Sequence, residues 1–475
     1  MLARCLALTA LLASITSATS AASPGEEPFD GAVFAGPTGT HPGSITANPA
    51  SLLRITPGVH LFATGVAHVE RIAIDRELVD VDGTRRAGPR VEGDTMGAGG
   101  QLGGIYAWPG GMIAAAASLL PPDETLSGED ALAYHSNGTR TRRIDWFALG
   151  GGYRYGRSIH LAFGATVSER RTILRFKRDT ALEAGRDPVR GVTSDCGGTP
   201  CGLEHPAAAE TWSIDGDPDF LNLGNLVLSG GVLVRLPGET LLGLSYQRPW
   251  RKGAYELTGT ATVTAAPRDG GLVHQGEATV FVGLPEVWRL GTRTAVGAGW
   301  EVVTELRWRR LGQVGPYDVR THGGDLADAG VPEYYARARG LDDALAVELG
   351  VEQADVGQPV LVGLRIGGDT GAARGGRLSP TSPWGPELTA SAGVQLRLAS
   401  RWVIQAGYEL GYQPPVTTDA SVFDPIDRLD CVDSGYDFDL PACATVRAGA
   451  GLPTAGGTYA RWDHQAWLAL RIEVR

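Results

Sequence analysis

Alternation with a period of two runs through most of this chain. Trp300, Val302, Thr304, Leu306 and Trp308 share one parity, and Glu301, Glu305, Arg307 and Arg309 share the other. Successive side chains of a strand point to opposite faces, so this segment is apolar with aromatic ends on one side and ionic on the other. Trp402, Ile404, Ala406, Tyr408, Leu410 and Tyr412 repeat the design against Gln405 and Glu409; Leu468, Leu470, Ile472 and Val474 alternate with Arg471, Glu473 and Arg475. The same pattern predicts strands at 58–72, 96–108, 111–120, 142–155, 158–177, 222–236, 240–264, 276–296, 300–311, 344–356, 359–368, 386–398, 401–413 and 459–474. Strands of soluble sandwiches average about five or six residues. These run to about a dozen, the length of a tilted strand that crosses a bilayer.

The fourteen predicted strands are joined by connections that alternate in length. Pro109-Gly110, Gly156-Arg157, Pro237-Gly238-Glu239, Gly297-Ala298-Gly299, Gly357-Gln358 and Ala399-Ser400 are short; 73–95, 121–141, 178–221, 265–275, 312–343, 369–385 and 414–458 are long. Outer-membrane barrels have short periplasmic turns and longer extracellular loops. The expected fold is therefore all-β, a transmembrane antiparallel β-barrel of 14 strands over 58–475, in the cell outer membrane of a Gram-negative bacterium with both ends periplasmic. On this pattern alone, a general porin and an adhesive barrel remain open alternatives.

Composition narrows the picture. The 475 residues are 43% apolar and 20% charged, with 67 glycines and a formal charge of −11 spread without blocks. A disordered chain is excluded, and no basic stripe is present to meet nucleic acid. Residues 1–22 read as a secretory signal peptide: Arg4, an apolar stretch from Cys5 to Ile15, and small residues through Ala22. Its removal leaves Cys196, Cys201, Cys431 and Cys443 in two close pairs within long loops, which fits disulfides made in an oxidising compartment. A four-thiolate zinc site would require the pairs to converge from distant loops. Glu301, Glu305, Arg307, Arg309, Glu348, Glu352, Gln405 and Glu409 are assigned to the lumen, because an Arg or Lys facing lipid near the midplane costs roughly 2–4 kcal/mol. Their mixed signs suit an internal ionic network that braces the wall.

Motifs for chemistry are missing. No GxxxxGK[ST], Gly-x-Ser-x-Gly or HExxH segment occurs, so neither an enzyme nor a cofactor has support. Asp215-Gly216-Asp217-Pro218-Asp219 is like the start of a calcium loop, but Leu226 stands where the bidentate Glu belongs; the bland reading is a solvated acidic loop, and no metal is expected.

Between the signal and the first strand, residues 23–57 are rich in Pro, Gly, Ser and Thr, with apolar islands at Gly31 to Gly36 and at Asn48-Pro49-Ala50-Ser51-Leu52-Leu53. The Asn48-Pro49-Ala50 triplet, the run Ile144 to Arg154, Leu241 to Pro249, and Leu284-Pro285-Glu286 with Leu290-Gly291 and Leu306-Arg307-Trp308 together resemble the outer-membrane long-chain fatty acid and hydrocarbon transporter family, the FadL type. The resemblance implies that 23–57 is a hatch plugging the lumen, with Asn48, Pro49 and Ala50 its anchor. It implies a wall gap in the third strand, within 110–120, through which cargo leaves sideways. Gly110, Gly111, Ala114, Ala115, Ala116 and Ala117 supply little side chain there, and Pro121-Pro122 cannot donate to a ladder. The implied function is passive uptake of hydrophobic compounds such as fatty acids or hydrocarbons. The expected partners are an apolar small molecule, fatty-acid-like or aromatic, and outer-membrane lipid, with the barrel a monomer.

Overall fold

A computed structural model of the chain describes residues 32–79, 85–120, 123–124, 134, 140–156, 158–180, 204–217, 225–250, 254–337, 339–354, 357–398, 401–418 and 455–474. The signal segment and all four loop cysteines lie outside the described residues. The strands, in order, are β1 Gly58–Val79, β2 Arg85–Trp108, β3 Gly111–Leu119, β4 Asp123–Glu124, β5 Arg140–Tyr155, β6 Ile159–Asp179, β7 Ala209–Asp217, β8 Leu226–Leu236, β9 Thr240–Pro249 and β10 Ala254–Thr264. They continue with β11 Val273–Gly283, β12 Glu286–Gly297, β13 Trp300–Arg310, β14 Tyr317–His322, β15 Tyr334–Arg337, β16 Ala344–Gln353, β17 Val360–Asp369, β18 Glu387–Leu398, β19 Trp402–Thr418 and β20 Gly457–Val474.

Fourteen of these close a ring of antiparallel neighbours, running β1, β2, β3, β5, β6, β8, β9, β12, β13, β16, β17, β18, β19, β20 and back to β1 through the pairing from Val59↔Val474 to Arg76↔Gly457. Closure leaves the wall no open edge, which a bilayer demands because it has no water to satisfy unpaired backbone groups. The outer surface is apolar, with Leu244, Leu290, Leu306, Val347, Leu349, Leu364 and Ile366 exposed. Aromatic pairs at one level, Tyr246–Trp288 and Tyr412–Trp462 with ring centroids 4.2 Å apart, and Tyr106, Trp108, Tyr153 and Tyr155 at the turn end form the two belts expected at membrane interfaces.

Four strands escape the sequence pattern, and two predicted strands are divided. Predicted 240–264 is split between β9, in the barrel wall, and β10, in a sheet beyond it; predicted 276–296 is likewise split between β11 and β12. That outer sheet runs from the far end of β6 through β7, β10, β11 and β14 to β15. The cause is an inversion of polarity along single strands. In the membrane zone of β1, Leu61 faces out while His60, Thr64, His68 and Glu70 are buried inside; beyond it Ile72 and Ile74 are buried and Arg71 and Asp75 face out. Lipid outside favours apolar-out, water outside favours apolar-in, so one dyad rule cannot read both zones. Inside the outer sheet Phe176, Trp212 and Tyr335 stack at 5.4–5.7 Å, in a core with Leu174, Tyr255, Leu257 and Val280.

Candidate functional site

Within the barrel, residues 32–53 are almost wholly buried. This segment has little regular structure of its own, a one-turn helix Ser44–Ala47 and a 3-10 helix Pro49–Arg54, so its backbone polar groups need partners from the wall. The wall supplies them. Arg365 Nη2 donates to the Ala35 carbonyl at 2.8 Å, Gln247 Nε2 to Thr46 at 2.7 Å, and Arg471 Nη1 to Thr40 at 3.2 Å, while Phe34 N donates to Glu352 Oε1 at 3.0 Å. Arg154 donates to the carbonyls of Leu53 and Ile55.

Asn48 organises the middle of the segment. Its Oδ1 accepts from Ala50 N at 3.1 Å, capping the 3-10 helix that Pro49 begins, and its Nδ2 donates to the Pro37 carbonyl at 2.7 Å. Glycines on three adjacent strands admit it. A Cβ at Gly231 would lie 2.0 Å from Asn48 Oδ1, one at Gly243 would lie 2.3 Å from the Pro37 carbonyl, and one at Gly291 would lie 2.5 Å from Pro37 Cγ. The sequence singles out Asn48, Pro49 and Ala50, and carries Gly243 and Gly291 within its family motifs, but it does not show that these glycines receive the segment; their lumen parity is the available signal.

The lumen wall has two chemically distinct halves. On the side of β1, β2, β3, β6, β8 and β9, Ile45, Leu52, Leu53 and Ile55 of the segment pack with Phe62, Ile105, Met112, Ala114, Ala116, Ala162, Leu233 and Leu241. The other side is ionic. Arg293 Nη2 is 2.7 Å from Glu352, Arg365 Nη2 is 2.7 Å from Glu352, Arg309 is 2.5 Å from Asp369, and Arg461 joins Glu70 at 2.9 Å and also Glu387. Of the seven charged residues assigned to the lumen, Glu305, Arg307, Arg309, Glu348 and Glu352 are buried there, Glu301 pairs with Arg293 at 2.8 Å, and Glu409 lines an internal chamber.

His41 sits at the junction, its Nδ1 accepting from Gly43 N at 3.0 Å and its ring edge-on to Trp467 at 5.6 Å. Burial, then the positive charges of Arg471 and Arg365, hold its imidazole down at about 3. The unseated segment would regain an ordinary value near 6.5. The neutral ring therefore favours the seated state fully above pH 6.5, and that preference is lost as pH falls toward 3. At pH 5 the loss is about 2 kcal/mol. Protease sensitivity of residues 32–57 is expected to rise steadily from pH 6.5 to 4.5, and His41→Gln should flatten that dependence.

The third strand carries a fault in its ladder. Its pairing with β2 is continuous from Gly100↔Leu119 to Trp108↔Gly111. Toward β5 it pairs from Gly111↔Tyr153 to Ala114↔Gly150, lapses across Ala115, Ala116 and Ala117, and resumes at Ser118↔Asp145. β5 also slips its register against β6, between Trp146 and Leu149. Of the residues singled out by sequence, Gly110 is in the preceding turn, Gly111 starts the strand, and Ala114 and Ala115 straddle the start of the lapse. On the lumen side, Ala114 and Ala116 belong to the apolar cluster built around Ile45 and Leu53. A cavity of about 550 Å³ opens at the turn end, lined by Leu53, Arg154, His160, Leu233, Arg235 and Leu241.

No protein-family model and no curated protein matches the chain. Solved structures do. A FadL homologue from Pseudomonas aeruginosa shares 12% identity over 97% of this chain and 99% of its own, with a TM-score of 0.67. The toluene transporter TodX of Pseudomonas putida shares 12% over 96% of this chain and 100% of its own, with a TM-score of 0.62. The monoaromatic hydrocarbon channel CymD shares 11% over 96% and 98%, at 0.58. The chain thus has the fold of the FadL-type barrels, end to end.

Proposed function

We propose that this barrel carries hydrophobic compounds, fatty-acid-like or aromatic, passively across the outer membrane, with residues 23–57 as its hatch and the β3–β5 lapse as its lateral exit. The observation that carries the reading is the coincidence of the lapse with the apolar half of the lumen. Apolar cargo resting against Ile45, Leu53 and Ala116 has bilayer on the far side of a wall that is unpaired at that level. Transfer from such a site into lipid runs down the cargo's own gradient and needs no nucleotide. The structural kinship with proteins described as toluene transporters and a monoaromatic hydrocarbon channel supports the same cargo class. In this reading the barrel works as a monomer in a Gram-negative outer membrane, and lipid receives the cargo.

Cells producing the barrel are expected to take up radiolabelled fatty acid or toluene several-fold faster than cells without it, with no gain for a hydrophilic sugar of similar mass. An equal gain for both solutes would mark an open porin and sink the proposal.

A further inference from the structure

The ionic half of the lumen encloses a chamber of about 50 Å³, room for a small ion or a single headgroup and not for a whole cargo molecule. Five carboxylates line it: Glu348, Asp369, Glu387, Glu409 and Asp463. Asp369 is paired with Arg309, Glu387 with Arg461, and Asp463 with His68. Glu348 is weakly served. Arg307 stands 4.0 Å from its Oε1 and Arg365 3.6 Å from its Oε2, and that Oε2 accepts no hydrogen bond although the residue is 8% exposed. Glu409 shares the chamber with Arg307. Arg461 and Arg365 are shared in turn with Glu70 and with Glu352 and Glu305. Among the residues that line the chamber, five carboxylates thus face one guanidinium, that of Arg307.

A buried carboxylate oxygen short of a hydrogen bond, as Glu348 Oε2 is, is costly, and ionisable groups retained at membrane depth usually mark a ligand path. No group of His, Cys, Asp or Glu among the described residues is arranged to hold a metal ion. Two carboxylates separated by a small cavity and flanked by the Thr389 side chain instead suit a cation that donates several hydrogen bonds in different directions. We propose that Glu409 and Glu348 form a site for a protonated amine. The amine belongs either to a free small ammonium ion or to the head of an amphiphilic cargo whose apolar part lies elsewhere in the lumen. Only the second source rests on the transport reading above; binding to the chamber stands apart from it.

Calorimetric titration of the purified full-length barrel in detergent tests the site, using methylammonium, decylamine and decanol as probes, with protein-free micelles as the blank. Amine binding is expected at neutral pH, and Glu409→Gln should weaken it at least tenfold. Binding of methylammonium marks a small-ion site. Binding of decylamine alone, in preference to decanol, marks a cargo headgroup. Equal binding of decylamine and decanol, or no amine binding at all, would overturn the proposal, the latter meaning that Glu409 keeps its own proton. Heat-modifiable electrophoretic mobility reports whether each variant is folded, and Glu348→Gln provides a second reading where Glu409→Gln does not fold. A barrel that binds amines yet takes up no hydrophobic compound would refute the transport reading and leave this one standing.

Discussion

Removing residues 23–57 is expected to turn a nearly closed barrel into a conducting one, with ion conductance in planar bilayers rising at least tenfold. The reason lies in what the described part of the segment occupies. Ile45, Leu52, Leu53 and Ile55 fill the apolar half of the lumen, and Phe34 to Gly36 lie against Arg365, Glu352 and Glu305 in the ionic half. Without them a fourteen-stranded cylinder would expose a ring of charge to water, the lining of a channel. A graded version needs one small side chain. Gly231→Val would place carbon where Asn48 Oδ1 now sits, 2.0 Å from the Cβ position, and should yield intermittent openings in an otherwise full-length protein. Unchanged conductance in a truncated barrel that still shows heat-modifiable mobility would mean that the segment is not the plug.

Legibility from sequence followed the environment of each strand. β13 was readable to within a residue because lipid on one side and a charged lumen on the other impose strict alternation on Trp300 to Arg310. β7, β14 and β15 were not, because they lie beyond the membrane, where the outer face carries charges such as Arg320 and Asp318 and the inner face carries the core; the alternation rule assigns them to loops. The end of β9 at Pro249 and the start of β10 at Ala254 leave no mark in a run with unbroken parity, Leu241 and Gln247 facing in as Tyr255 and Leu257 do. Asn48-Pro49-Ala50 was conspicuous because cap and proline chemistry is local. The glycines that receive it act through contacts with residues far away in sequence, which one chain read alone does not display. The ladder lapse falls in the same class. Four consecutive alanines hint at a weak wall, but the side on which pairing fails is the side of β5, whose own register slips at the same level.

That lapse supports the second large effect. Ala116→Trp is expected to cut uptake of hydrophobic cargo at least tenfold while leaving the barrel closed to ions. Ala116 points into the lumen at 6% exposure, and at the level of Gly103 its Cβ and the ring of Phe62 already crowd the β2 side. A bulky residue at 116 therefore has room chiefly toward β5, across the unpaired stretch that cargo would have to pass. Ala117→Trp, on the opposite face of the same strand, adds the same mass toward lipid and should slow uptake far less. The pair separates a blocked exit from general damage to β3, which both variants would share. Normal uptake by Ala116→Trp would discard the lateral exit and move attention to the cavity at the turn end. Leu233→Trp, which fills that cavity between Leu53 and Leu241, would then be the variant expected to stop transport. The two substitutions therefore assign the exit to one end of the apolar half-lumen or the other, because each occupies a space that only one of the routes crosses.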